Sequence, residues 1–245
     1  MNKVIVAIPA RYGSTRFPGK PLALLAGKPM IQHVYEKAAA SSADLVVVAT
    51  DDVRIKSAVE GFGGRAAMTR SDHPSGTDRI REAAAGLDGD IIINVQGDEP
   101  LLPTAVIDEL IALMKNHPDY EMATVAVPIT RAEAENPNRV KVLFDAAGRA
   151  LYFSRAAIPY RREGGDDTPL YWHWGIYAYR RRALDRFVAW PPGRFENCEK
   201  LEQLRALENG MAIYVITSKL ESIGVDTPED LAEAEKYLKE HHEKN

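Results

Sequence analysis

Short apolar runs rich in Val and Ile, Val4–Ile8, Leu45–Ala49 and Ile91–Val95, are bounded by turn residues and read as buried strands of a parallel sheet. Between them apolar residues recur at helical spacing. Met30, Ile31, Val34, Tyr35 and Ala38 form one stripe, Ile55, Ala58 and Val59 a second, and residues 105–114 repeat the pattern after Pro103. Strand and helix alternate in this way through residue 117, which predicts an open, mostly parallel, doubly wound α/β sheet. The texture then changes: Val140–Phe144, Ala150–Arg155 and Tyr171–Tyr179 are strand-like, with the polar loop Arg161–Thr168 between the last two. These segments read as a smaller β-rich lobe inserted in the same domain. A helix is expected over Glu196–Asn209 with its stop at Gly210, a strand at Ile213–Ile216, and a closing polar helix over Thr227–Lys239. No repeat, low-complexity tract or interdomain linker interrupts the pattern, so residues 1–245 are expected to form a single domain, with halves 1–118 and 119–245.

Composition narrows the class. With 45% hydrophobic and 27% charged residues the chain reads as an ordinary soluble globular protein. A formal charge of −4 offers no general attraction to nucleic acid or anionic membrane. Cys198 is the single cysteine, which excludes an internal disulfide and a multi-cysteine zinc site, and a reducing cytoplasm is the expected location. Lys3 followed by Val4–Ile8 faintly imitates a signal peptide, but Pro9 and Arg11 cut the apolar run short. No run approaches the roughly 18 apolar residues of a membrane span.

Against that acidic average, residues 1–35 carry Lys3, Arg11, Arg16, Lys20 and Lys28, and no acid appears before Glu36. Three of these cations lie in Pro9–Lys20, directly after the first strand, so a buried strand delivers a basic, glycine-containing loop suited to an anion such as phosphate. Ligands of an open parallel sheet sit beyond the carboxyl ends of its strands. The residues there are Arg11–Lys20, Asp51-Asp52 and Gln96–Pro100, one cationic set and two acidic ones. A phosphate grip facing a carboxylate suggests Mg²⁺, with Asp98 the first choice of ligand.

Plainer readings stand beside these. Asp98 also suits the opening of a turn, Asp51 a cap on the helix beginning near Val53, and Asp226-Thr227-Pro228-Glu229 has capping-box spacing. Gly61, Gly63 and Gly64 follow a helix and read as its stop. In the loop Ser71–Arg79, Ser75 and Thr77 suit a helix N-cap or contacts to a base edge. Along Tyr171–Tyr179, Trp172, Trp174, Ile176 and Ala178 share one face, and Tyr171, His173, Gly175, Tyr177 and Tyr179 the other. His173 is either a satisfied structural histidine or a ligand contact. Glu202 and Arg205, three apart, have the spacing of a surface pair, with Glu202 and Gln203 also able to reach sugar hydroxyls.

Taken together, the chain resembles the cytidylyltransferases that activate 3-deoxy-D-manno-octulosonate (Kdo), the acidic sugar of bacterial lipopolysaccharide. The resemblance covers nearly the whole length. It rests on Pro9–Leu22, Val48–Asp51, Ser75–Arg79, Asn94–Pro100, Ala150–Arg155, Leu201–Arg205 and Val225–Asp230. Gly13, Phe17 and Ala178 stand where relatives often carry Ala, Leu and Gly, and none of these removes a functional group. The family implies a nucleotide-diphospho-sugar transferase-like fold, in which residues 1–118 mainly bind the nucleotide. Residues 119–245 would supply the sugar-binding, dimerisation and closing elements. It further implies that Arg11, Ser14, Arg16 and Lys20 grip the CTP phosphates and that Ala49, Asp51, Ser75 and Thr77 border its base and ribose. Asp98 and Asp226 would hold Mg²⁺, with Lys20 and Arg11 as their catalytic partners. Arg79, Gln96, Arg155, His173, Tyr177, Glu202 and Gln203 would line the sugar-acid pocket. The expected activity is CTP + Kdo giving CMP-Kdo + pyrophosphate, in a cytoplasmic homodimer joined through the β-rich lobe. The alternatives are the same reaction on the 8-amino analogue of Kdo, another sugar nucleotidyltransferase, and a catalytically silent nucleotide-binding module.

Overall fold

The Val and Ile runs pair side by side, as their double-sided burial requires. The computed structural model describes residues 3–13, 17–162, 168–220 and 222–242. In chain order its elements begin with β1 (Val4–Ala10), the short hairpin β2 (Leu24–Leu25) and β3 (Lys28–Pro29), α1 (Met30–Ala39), β4 (Leu45–Thr50) and α2 (Val53–Gly61). There follow β5 (Ala66–Met68), α3 (Gly76–Ala84), β6 (Ile91–Asn94), α4 (Thr104–Asn116), β7 (Met122–Ile129), α5 (Arg131–Ala134) and β8 (Lys141–Phe144). The chain closes with β9 (Ala150–Ser154), β10 (Leu170–Arg180), α6 (Arg181–Ala189), α7 (Arg194–Glu199), α8 (Leu204–Glu208), β11 (Ile213–Thr217) and α9 (Pro228–His242).

The main sheet runs β11-β7-β10-β6-β1-β4-β5, with β8 and β9 attached through β10. Neighbours are parallel except at β10, which is antiparallel to both β6 and β7. The central sheet is therefore mostly parallel, and the carboxyl ends of β1, β4 and β6 share one edge. Strand alternation sends Val4, Val6 and Ile8 to Val34 of α1 and Leu110 of α4, and sends Ile5 and Ala7 to Ile80 of α3 and Phe187 of α6. Helices thus cover both faces, which is why these strands are apolar at nearly every position, with the polar exceptions Thr50 and Asn94 at strand ends. On β10 the alternation holds too: Trp174, Ile176 and Ala178 join the first layer, Tyr177 and Tyr179 the second.

Two expectations need correction. The helix over Glu196–Asn209 is two helices, α7 and α8, because Lys200 adopts a left-handed φ of 54° and turns the chain between them. Strand β7 and helix α6 were not anticipated; β7 carries β10 and β11 on its two edges. The helix stop at Gly61–Gly64 is observed, with Gly63 at φ +83°. Residues 163–167 of the expected polar loop lie outside the described residues. Among the described residues no helix is long and apolar enough to cross a membrane.

Two arginines at the junction of β10 and α6 close the ends of other helices. Arg180 donates to the carbonyls of Met114, His117 and Tyr120 at and beyond the end of α4, and Arg181 to those of Ala84, Leu87 and Gly89 at and beyond the end of α3. Helix C-termini leave carbonyls without intrahelical partners, and a guanidinium fork satisfies several at once. Arg181→Ala is expected to destabilise the fold by about 2 kcal/mol, read as a lowered urea midpoint; an unchanged midpoint would show that water replaces the fork at no loss.

Candidate active site

The loop after β1 is braced at its far end. Gly19 takes φ +72°, its N–H donates to Tyr12 O at 2.9 Å, and a Cβ there would lie 3.1 Å from the Tyr12 ring, so the turn and the contact both require glycine. Arg54, paired with Asp52, covers the Tyr12 ring at 3.4 Å from its centroid. The turn Lys20–Leu22 starts immediately after and aims Lys20 inward. Its side chain is only 13% exposed, and Nζ donates to Asp98 Oδ2 at 2.7 Å, Val225 O at 2.9 Å and Asp226 Oδ1 at 3.1 Å. Residues from three distant parts of the chain thus meet on one ammonium.

Asp98 reaches this point because the loop after β6 crosses tightly over β1. A Cβ on Gly97 would lie 2.7 Å from Pro9 O, so only glycine lets the backbone pass. The reading of Asp226 as a helix cap is corrected. Thr227 and Asp230 cap α9 reciprocally: Asp230 accepts from the N–H groups of Asp226 and Thr227, and Thr227 Oγ1 accepts from Asp230 N. The Asp226 carboxylate instead contacts Lys20. Asp51 is not the cap of α2 either; Asp52 accepts from Arg54 N, and Asp51 pairs with Arg79 at 3.2 Å. Ser75 does cap α3, accepting from Asp78 N.

These groups border a cleft of about 270 Å³ whose lining includes Arg11, Lys20, Ser75, Arg79, Gln96, Asp98 and Asp226. All seven were singled out from the sequence. The family pattern described as Cytidylyltransferase matches residues 5–213. The chain belongs to the cytidylyltransferase family, in its CMP-Kdo synthetase branch. An 8-amino-3,8-dideoxy-manno-octulosonate cytidylyltransferase of Shewanella sp. (strain ANA-3) is 54% identical over 241 residues, 96% of this chain and 98% of that one. The protein of the same name from Shewanella halifaxensis is 55% identical over 234 residues, covering 93% and 95% of the two chains. The solved structure of a CMP:2-keto-3-deoxy-manno-octonic acid synthetase complexed with CTP is 44% identical, with a TM-score of 0.94 over 98% of this chain and 99% of that one. A cytidylyltransferase from Leptospira borgpetersenii, 16% identical with a TM-score of 0.64 over 99% and 96% of the chains, shares the fold.

Beyond the cleft, the cytidylyltransferase brings Thr77, His173, Tyr177, Glu202 and Gln203 together beneath α3. Thr77 Oγ1 donates to Glu202 Oε2 at 2.8 Å, while Glu202 Oε1 is buried without a hydrogen bond. Burial, only partly offset by Ser75, Thr77 and Arg205, raises the pKa of Glu202. Arg205, read as its surface partner, is buried; it keeps Glu202 at 3.8 Å and makes its two-pronged pair with Glu196. Gln96 Nε2 donates to Gly175 O at 3.1 Å, linking the cleft to β10. Two residues stand apart from this arrangement. Ala49 is packed in the core below the cleft, and Arg155 turns its guanidinium to the carbonyls of Pro137, Glu199 and Lys200. Ser14 and Arg16 lie outside the described residues.

His173 is buried between Thr124 and Gln203. Thr124 Oγ1 gives its one hydrogen to carbonyls, 2.7 Å away at Ile176, so the 3.0 Å contact with His173 Nε2 places the imidazole hydrogen on Nε2. Nδ1 is then left to accept from Gln203 Nε2 at 3.5 Å. Burial drives the pKa of His173 down to about 3 from 6.5, so the neutral ring is the folded form. Its contribution to stability is present above 6.5 and is lost as pH falls toward 3. Between these values wild-type stability is expected to decline more steeply than that of His173→Gln, by up to about 1.4 kcal/mol per pH unit. Urea midpoints at several pH values read this directly, and parallel slopes would contradict it.

Two further groups of the site carry no signal in residue spacing. His73 borders the cleft and is hydrogen-bonded through Nε2 to Glu82, nine residues on; the loop was noted, but nothing marked its histidine as the residue facing inward. Glu99, next to Asp98, accepts from Ser222 Oγ at 2.7 Å. Burial, reinforced by Asp98 and Asp226, pushes Glu99 up to about 7.

The site also has the chemistry for a hard cation. Two carboxylates and a backbone carbonyl already surround the positive charge of Lys20. Among the described residues no three acidic, histidine or cysteine side chains converge, so the other positions of an octahedral shell would fall to substrate and water oxygens.

Proposed function

We propose that the chain transfers the cytidylyl group of CTP to the anomeric hydroxyl of an eight-carbon 3-deoxy sugar acid, and that 8-amino-3,8-dideoxy-manno-octulosonate is that acceptor. The observation that carries the reaction is the opposition of Arg11 and Lys20 to Asp98 and Asp226 in one cleft at the carboxyl edge of the sheet. The choice of acceptor is supported by the relatives named for the amino sugar, at 54% and 55% identity. Kdo is the second reading, supported by the 44% identical synthetase structure.

The acceptor oxygen attacks the α-phosphorus, the bond from that phosphorus to the bridging oxygen of the β-phosphate breaks, and pyrophosphate departs. The hydroxyl proton passes to solvent, and no covalent enzyme intermediate is required. Arg11 and Lys20 hold the triphosphate and offset the charge that grows on the departing phosphates, an effect worth several kcal/mol in such sites. Asp98 and Asp226 would hold Mg²⁺, which when bound lowers the pKa of the acceptor hydroxyl. The buried Glu202 Oε1 accepts a hydrogen bond from the sugar acid. The homodimer through the β-rich lobe belongs to the same reading.

The acceptor is tested by measuring pyrophosphate release from CTP with each sugar in turn. The amino sugar is expected to give a kcat/KM at least about tenfold above that of Kdo. A ratio of one or below would assign the enzyme to Kdo.

A further inference from the structure

Lys141 in β8 is 0% exposed. Its ammonium donates to two backbone carbonyls, Asn136 O at 3.0 Å and Arg155 O at 2.6 Å, and to no carboxylate among the described residues. A lysine buried in this way is costly, and packing alone would be served by Met or Leu. What the ammonium adds is a fixed distance between two loops.

The second loop carries Arg155, whose guanidinium continues the connection. Nη1 donates to Pro137 O at 3.1 Å, beside the Asn136 carbonyl that Lys141 holds, and Nε donates to Glu199 O at 2.7 Å. Nη2 reaches Lys200 O at 3.4 Å. The Glu199 carboxylate returns the contact, accepting from Ser154 Oγ at 2.6 Å and Arg155 N at 3.0 Å. The segment gripped here contains Lys200, whose φ of 54° is a conformation a lysine keeps only when its surroundings impose it. Two and three residues later come Glu202, bonded to Thr77, and Gln203, facing His173. On the other side His173 N donates to Val140 O at 2.8 Å, the residue before Lys141.

Both halves of the wall beneath α3 therefore lead back to one side chain. We propose that Lys141 is a positioning residue for the acceptor sugar, acting through Arg155 and the left-handed turn at Lys200; the inference rests on the sugar-acid reading of this site. Arg155 then serves the sugar by holding that turn. The basic loop and Asp98 have no part in the network, which touches the nucleotide side only where Glu202 meets Ser75 and Thr77, so the effect is expected to fall on the sugar.

Lys141→Met keeps the volume and removes the donor. It is expected to raise KM for the sugar acid at least about tenfold, with KM for CTP and the calorimetric affinity for CTP within about twofold of wild type. Arg155→Lys, at the other end of the network, is expected to show the same split. A merely structural role would shift both KM values together. Sugar KM unchanged within about twofold, or equal rises for both substrates, would overturn the proposal. Should Lys141→Met fail to fold, Arg155→Lys decides by the same criterion. Wild-type protein that releases no pyrophosphate with either sugar would refute the underlying reading instead.

Discussion

Asp98→Asn is expected to lower kcat by about three orders of magnitude, a loss near 4 kcal/mol, while the protein remains folded. The substitution keeps the shape of the side chain and removes its charge. Asp98 is one of two carboxylates that meet at Lys20, and the sugar hydroxyl has no strong protein base in the proposed mechanism. In that mechanism activation of the hydroxyl depends on the Mg²⁺ that Asp98 and Asp226 would hold. Stability should change little: the lost pair with Lys20 is offset by relief of repulsion among Asp98, Glu99 and Asp226, the two aspartates both acting to raise Glu99. The check is kcat at saturating CTP, sugar and Mg²⁺, with a thermal melt alongside. A kcat within about tenfold of wild type would remove Asp98 from the mechanism.

Lys20→Met is expected to reduce kcat/KM for CTP by about two to three orders of magnitude. Its affinity for CMP should fall by less than about threefold, because CMP lacks the β- and γ-phosphates that a residue at this position would meet. The same variant tests the cation site without using activity. Lys20 occupies the space between Asp98 and Asp226 that a divalent ion would enter. With the ammonium gone the carboxylates repel one another, so Mg²⁺ should raise the melting temperature of Lys20→Met more than that of wild type. Equal losses for CTP and CMP would deny Lys20 its phosphate role. Equal melting shifts would deny the shared cation position.

The nucleotide side of the site was legible because its signals are local. A Val- and Ile-rich strand ends, a charged residue follows, and parallel topology gathers such ends on one edge; Arg11, Lys20 and Asp98 needed no more than that. Asp226 is different, since capping-box spacing identifies a capped helix without saying which acid does the capping, and Asp230 takes that task. The Asp51 and Asp52 exchange is a one-residue version of the same ambiguity. The break at Lys200 was hidden because Leu201, Leu204 and Leu207 set a helical rhythm directly after it, while the Arg155 contacts to Glu199 and Lys200 come from about 45 residues away. Arg205 likewise keeps Glu202 at 3.8 Å but makes its short contact to Glu196, on another helix. Side-chain partners selected by tertiary packing leave no trace in spacing.

That this cleft moves a cytidylyl group onto a sugar acid is tested most directly by phosphorus NMR of CTP incubated with the protein, Mg²⁺ and the 8-amino sugar acid. The three CTP signals should give way to one phosphodiester and to pyrophosphate in equal amounts, and only when the sugar is present. CTP that persists unchanged, or that decays to free CMP whether or not the sugar is there, would contradict the assignment.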